Sequence, residues 1–145
     1  MKIYMDVCCL SRPFDDLSQP RVRLEAIAVT NILDRCRFGQ WMLTASEVLD
    51  FELSAIQNYE KMMQIRDLYS LAENWLPVTA PIKTRAISLQ SQGLSFFDSL
   101  HLALAEAFHQ DIFLTTDDKL FKRANKIDLN IRMANPVAWF MEVET

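Results

Sequence analysis

Residues 96–121 read "FFDSLHLALAEAFHQDIFLTTDDKLF". Ser95 stands just before this stretch and is a favoured helix N-cap. Leu100, Ala103, Leu104, Ala107 and Phe108 then recur at helical spacing and mark one apolar face. "DIFLTT" (111–116) is a short apolar run that reads as a buried strand. A short helix is expected from about Lys119 to Asn125. A helix, a buried strand and another helix with tight links form the repeating unit of a parallel sheet covered by helices.

Upstream, "KIYMD" (2–6) is a second β-type run ending in an acid, followed by a proline-broken polar loop, "SRPFDDLSQP" (11–20). A helix is expected from about Arg21 to Phe38, with Val22, Ala26, Val29, Leu33 and Cys36 inward and Gly39 as its stop. "QWMLTA" (40–45) reads as a buried strand, followed by helices near 46–58 and 61–72. "WLPVT" (75–79) is a strand that Pro77 confines to a sheet edge. Thr79 and Pro81 open a helix that ends near Gly93. "NIRMAN" (130–135) is a last strand, and Asn135-Pro136 caps a C-terminal helix with Val137, Phe140 and Met141 inward. Neither a linker nor an internal repeat interrupts residues 1–145, which read as a single domain.

Composition narrows the function classes. Half of the residues are hydrophobic, enough for a core without staples. Only two glycines occur, which excludes the glycine-rich phosphate loops of P-loop and dinucleotide-binding proteins. The three cysteines are odd in number, Cys8 and Cys9 are adjacent, and no histidine cluster joins them. Disulfides and zinc are therefore not expected, and buried thiols in a reducing compartment are. The apolar runs are too short for a membrane span and "MKIYMD" has no signal-peptide character, so a cytoplasmic, membrane-free protein is expected. The net charge of −4 (15 basic against 19 acidic residues) is not a general nucleic-acid footprint, but four clustered carboxylates would supply the whole excess.

Four acids recur at such places: Asp6 after the first strand, Glu52 on a helix, Asp98 at a helix start and Asp117 after "IFLTT". Sites in parallel sheets lie beyond the carboxyl ends of the strands, where Asp6 and Asp117 fall. Singly, each has a local structural reading: Asp98 completes a capping box with Ser95, and Asp117 caps the next helix. Together they form an oxygen-only donor set suited to Mg²⁺ or Mn²⁺. Thr44-x-x-Glu47 is itself a capping-box pattern, so Glu47 is read as structural. His101, one turn after Asp98, is placed to hydrogen-bond a carboxylate, and His109 is expected on the surface.

In this order, these residues resemble the PIN domain family. "IYMDVCCL" is similar to the family's hydrophobic opening ending in Asp-Thr. Ser46 precedes Glu52 by six residues in "SEVLDFEL", as in the family's Ser-to-Glu helix. Residues 96–121 match its most specific block. The resemblance spans nearly the whole chain. It implies a three-layer α/β/α sandwich with a parallel sheet of about five strands. It also implies a Mg²⁺- or Mn²⁺-dependent endoribonuclease like the VapC toxins, with an antitoxin partner and a homodimeric state. By position, the acidic quartet is Asp6, Glu52, Asp98 and Asp117, with Asp6, Asp98 and Asp117 as metal ligands. Thr115 orients the nearby carboxylate. Arg12, Thr115 and Lys119 are candidate RNA contacts, with Arg21, Arg23, Lys122 and Arg123 as further candidate phosphate contacts.

Two alternatives stay open. Thr116-x-Asp118-x-x-Phe121 fits the last motif as well as Thr115-x-Asp117-x-x-Leu120 does, and Asp117 is preferred as nearer the strand end. Val7 follows Asp6 where the family carries a hydroxyl, which leaves a weakly catalytic or inactive module acting through protein or RNA binding as the second reading. A phosphorylated-aspartate protein fits less well, because Cys8 and Met5 occupy the positions where it needs acids.

Overall fold

The computed structural model describes residues 1–144. Its element order is β1 (Lys2–Met5), α1 (Val7–Ser11), a 3₁₀ turn (Arg12–Phe14), α2 (Pro20–Arg37), β2 (Met42–Ser46), α3 (Glu47–Ser54), α4 (Tyr59–Tyr69), β3 (Asn74–Leu76), α5 (Ala80–Ser91), α6 (Phe96–Ala107), β4 (Ile112–Leu114), α7 (Asp118–Ala124), β5 (Met133–Ala134) and α8 (Pro136–Val143). The strands form one parallel sheet in the order β3-β2-β1-β4-β5. Ile3 of β1 lies opposite both Leu43 of β2 and Ile112 of β4. Helices cover both faces, giving the three-layer α/β/α architecture expected from the sequence.

Winding reverses at β1. The chain steps outward to β2 and β3 on one side, then crosses to β4 and β5 on the other. The carboxyl ends of β1 and β4 therefore sit side by side where helices leave in opposite senses, which opens a crevice. β1 is apolar because it is covered on both sides: Ile3, Tyr4 and Met5 have no exposure, and neither do Phe113 and Leu114 of β4. α6 lies deep in the fold, with every residue from Ser99 to Ala105 buried. β3 is the edge that Pro77 required.

Three local expectations give way. α1 directly follows β1, its five residues being too short to show a period. Thr44 is not a cap, because β2 runs on to Ser46, and Ser46 Oγ accepts the Leu49 amide at 3.1 Å. Thr44 Oγ1 instead meets the side-chain amides of Asn74 (2.9 Å) and Gln110 (2.5 Å), and the Glu47 carboxylate accepts the Val78 amide at 2.9 Å. On α8 the buried residues are Pro136 and Trp139, the latter packed 5.0 Å from Trp41, whereas Met141 is exposed.

Candidate metal centre

Asp6 leaves the end of β1 and caps α1. Its Oδ1 accepts the Cys9 amide at 3.1 Å and the Cys8 thiol at 3.0 Å. Only 7% of the residue is exposed. Burial pushes its carboxyl above the ordinary range, against hydrogen bonds from Thr115, Cys8 and the Cys9 amide. Thr115 follows β4 and also accepts the Asp117 amide at 3.0 Å. One hydroxyl thus ties the first acid to the segment carrying the last. At 2% exposure, Thr115 faces the two carboxylate-bearing segments rather than solvent. The Cys8 thiol is pushed up to about 12, first by burial and then by the Asp6 charge, so it stays protonated and donates.

Asp98 is half-buried in the first turn of α6, its amide held by Ser95 Oγ at 3.2 Å. Desolvation raises its carboxyl, the hydrogen bond from Ser95 opposes that, and the charges of Asp117 and Glu52 push it further up. Asp98, Asp117 and Glu52 therefore share one electrostatic neighbourhood. Asp117 is exposed and caps α7, accepting the amides of Lys119 (3.0 Å) and Leu120 (3.2 Å). Asp118 behaves differently. Its two oxygens take the Arg21 guanidinium at 2.6 and 2.8 Å, which lowers its carboxyl. The doublet is divided: Asp118 belongs to an ion pair, while the charge of Asp117 reaches Asp98.

Glu52 projects from α3, and its Oε1 is hydrogen-bonded to His101 Nε2. The other ring nitrogen of His101 lies 2.5 Å from Tyr4 Oη, which in turn lies 2.8 Å from Ser46 Oγ. His101 thus supports a carboxylate as its sequence position suggested, but the carboxylate is Glu52. Tyr4 was not legible as a polar participant, since in "KIYM" it reads as one more apolar strand residue. The signal was that a buried tyrosine needs a partner for its hydroxyl.

The basic residues sort themselves. Glu25 is 1% exposed and neutralised by Arg12 (3.0 Å) and Arg21 (3.2 Å), with Asn135 adding a hydrogen bond at 2.6 Å. Arg12 also pairs with Asp15 at 2.9 Å. Its guanidinium is therefore already committed inside the protein. Lys119 is exposed beside Asp117 and makes no ion pair among the described residues. Asp6, Asp98 and Asp117 likewise have no Lys or Arg partner there. Among the described residues no three acidic, histidine or cysteine side chains close into a ready-made cage. Asp6, Asp98 and Asp117 take nearby hydroxyl, thiol and backbone N–H donors instead. The donor chemistry fits a hard divalent cation: oxygens only, partly desolvated, and lacking a positive partner.

No protein-family model matches the chain, and no curated protein matches it in sequence. Solved structures do. FitAcB from Neisseria gonorrhoeae aligns with a TM-score of 0.61 at 19% identity, over 92% of this chain and 97% of that one. VapBC2 from Rickettsia felis, bound to a promoter DNA fragment, gives 0.58 at 16% identity over 93% and 98%. VapBC-1 from nontypeable Haemophilus influenzae gives 0.54 at 18% identity over 94% and 98%. At these identities the shared property is architecture, and the chain has the PIN-like α/β/α fold.

Proposed function

We propose that the protein is a divalent-metal-dependent endoribonuclease acting as the toxin of a toxin–antitoxin pair. One contrast carries this reading. The fold neutralises the buried Glu25 with two arginines, whereas Asp6, Asp98 and Asp117 have no Lys or Arg partner among the described residues. Burying negative charge without a partner costs stability, and a bound cation offsets that cost. Asp6, Asp98 and Asp117 would hold Mg²⁺ or Mn²⁺. Such an ion, when bound, lowers the pKa of water and stabilises the charge of phosphoryl transfer. Thr115 keeps Asp6 and Asp117 in register, Glu52 accepts a proton from or orients the attacking water, and Lys119 meets phosphate. An antitoxin segment carrying Arg or Lys would cover the acids, and a homodimer belongs to the same reading.

The purified protein is expected to cleave single-stranded RNA with Mn²⁺ or Mg²⁺ and to stop with chelator. Asp98→Asn should reduce cleavage by 100-fold or more, on the order expected when a charge at the reacting centre is lost. Undiminished cleavage by that variant would overturn the assignment. The second reading, a catalytically weak binding module, rests on Val7, whose side chain packs against the core and supplies no hydroxyl to the crevice. Calorimetry separates the two: tight Mn²⁺ binding supports the enzyme, and its absence supports the module.

A further inference from the structure

We infer that Tyr4 and His101 are positioning residues for Glu52, acting through a one-directional hydrogen-bond chain that fixes the imidazole as an Nε2–H donor. This inference rests on the nuclease reading for its purpose, but not for its geometry.

The direction of the chain follows from its fixed end. The Leu49 amide can only donate, and Ser46 Oγ accepts from it at 3.1 Å. The backbone of Ser46 is already occupied: its amide donates to Tyr69 Oη (2.6 Å), and the Tyr69 hydroxyl donates to its carbonyl (3.2 Å). The proton on Ser46 Oγ therefore goes to Tyr4 Oη, 2.8 Å away. Tyr4 then donates to His101 Nδ1 at 2.5 Å, which leaves the ring proton on Nε2, facing Glu52 Oε1. Every polar atom in the chain is satisfied once. Run the other way, the Ser46 proton has no acceptor among the described residues, and in a neutral ring a bare Nε2 opposes a carboxylate.

Burial makes that difference costly. Tyr4 and Ser46 have no exposure and His101 has 2%. The rings are also locked by packing. Tyr4 stacks on Phe113 at 5.2 Å and meets His101 edge-on at 5.5 Å. Burial further holds Tyr4 as the neutral phenol, its pKa raised well above the ordinary value. Phe and Leu would fill this space without any polar cost. Among the described residues, the one end of the chain that reaches partial exposure is Glu52, whose charge is felt by Asp98. The chain thus transmits the rigidity of the β2–α3 junction to the one acid of the quartet borne by α3.

The test is ¹⁵N NMR of the histidine rings in metal-free protein, together with kinetics of three variants. His101 is expected as the neutral Nε2–H tautomer, giving way to a tautomer mixture in Tyr4→Phe. In His101→Gln the amide N–H occupies the place of Nε2–H, whereas in His101→Asn the amide occupies that of Nδ1. Losing such an orienting partner typically costs 10–100-fold, so His101→Asn should lose about that factor in kcat. RNA KM and calorimetric Mn²⁺ affinity should hold within about threefold, and His101→Gln should retain most of kcat. An Nδ1–H or doubly protonated ring overturns the inference. So does equal loss in the folded Gln and Asn variants, or a loss confined to Mn²⁺ affinity. If the unmodified protein cleaves no RNA with any divalent ion, the nuclease reading fails while the ring spectrum still decides the direction of the chain.

Discussion

Glu25 and Asp6 are both buried acids, and the fold treats them oppositely. Glu25 has two arginines and an asparagine within hydrogen-bond reach. Removing it strands two guanidiniums beside an apolar cavity, so Glu25→Ala should cost about 3 kcal/mol in urea unfolding, in line with broken buried pairs. Asp6 has only neutral donors, and its raised carboxyl marks an ionised state that weakens the metal-free fold at neutral pH. Asp6→Asn should therefore gain about 1 kcal/mol in the presence of chelator while losing Mn²⁺ binding, the usual trade at functional sites. The sign of its pH dependence follows. A carboxyl raised in the folded state costs nothing when protonated, so the gain disappears below about pH 4 and grows as pH rises through the folded-state value. Thermal melts of both proteins across pH would check this, and a gain that shrinks with rising pH would refute it. At this scale the acids were legible, since strand ends and helix starts are marked by local pattern. Arg12 was not, because the i,i+4 spacing of Arg21 and Glu25 shows a pair but not that Glu25 is buried and draws in a second arginine thirteen residues upstream.

Helix ends show how far local rules reach. α2 closes in a Schellman motif: the Gln40 amide bonds Arg35 O at 2.9 Å, and the Gly39 amide bonds Cys36 O at 3.1 Å. Gly39 sits at φ +79°, where glycine carries no Cβ penalty. α6 closes the same way, with Gln110 bonded to Ala105 O (3.0 Å) and His109 to Glu106 O (3.3 Å), yet His109 holds the left-handed position at φ +53°. His109→Gly should therefore stabilise the protein by about 0.5–1 kcal/mol and Gly39→Ala should destabilise it by a similar amount. Opposite shifts in thermal midpoint are the expected result, and a destabilised His109→Gly protein would contradict the strain argument. The long elements were legible because Ser95, Pro81 and Gly39 punctuate clear periods. α1 was not, since five residues carry no period and its one side-chain cap is the acid that also ends β1. The Thr44–Glu47 spacing misled because strand pairing of Thr44 with Asn74 carries β2 two residues past the local cap signal. The exposure of Met141 was equally hidden, since the buried face of α8 is set by Trp41, far off in sequence.

Across the whole molecule, the alternation of strands and helices made the parallel sheet legible, but not the strand order, which depends on where winding reverses. That reversal places the crevice between β1 and β4, and α3, α5 and α6 together present an apolar patch to solvent. Phe51 is 59% exposed, Phe96 54% and Ile87 68%. Phe51 stacks on Phe97 at 5.6 Å and Phe96 meets Phe97 edge-on at 5.4 Å, so the aromatic surface is already ordered. A contiguous apolar face of this kind marks an interaction surface. A second copy of the chain is the occupant that the homodimer proposal requires, because a two-fold interface needs only one self-complementary patch. The protein is expected to sediment as a dimer at micromolar concentration. Phe96→Asp combined with Ile87→Asp should sediment as a monomer, because each subunit would carry two carboxylates into the contact, at a desolvation cost that the single Lys83 beside them does not cover. Both side chains are already exposed in the single chain, so folding and Mn²⁺ binding should survive the change. A monomeric parent protein, or a dimer that persists in the double variant, would place any self-association on another face.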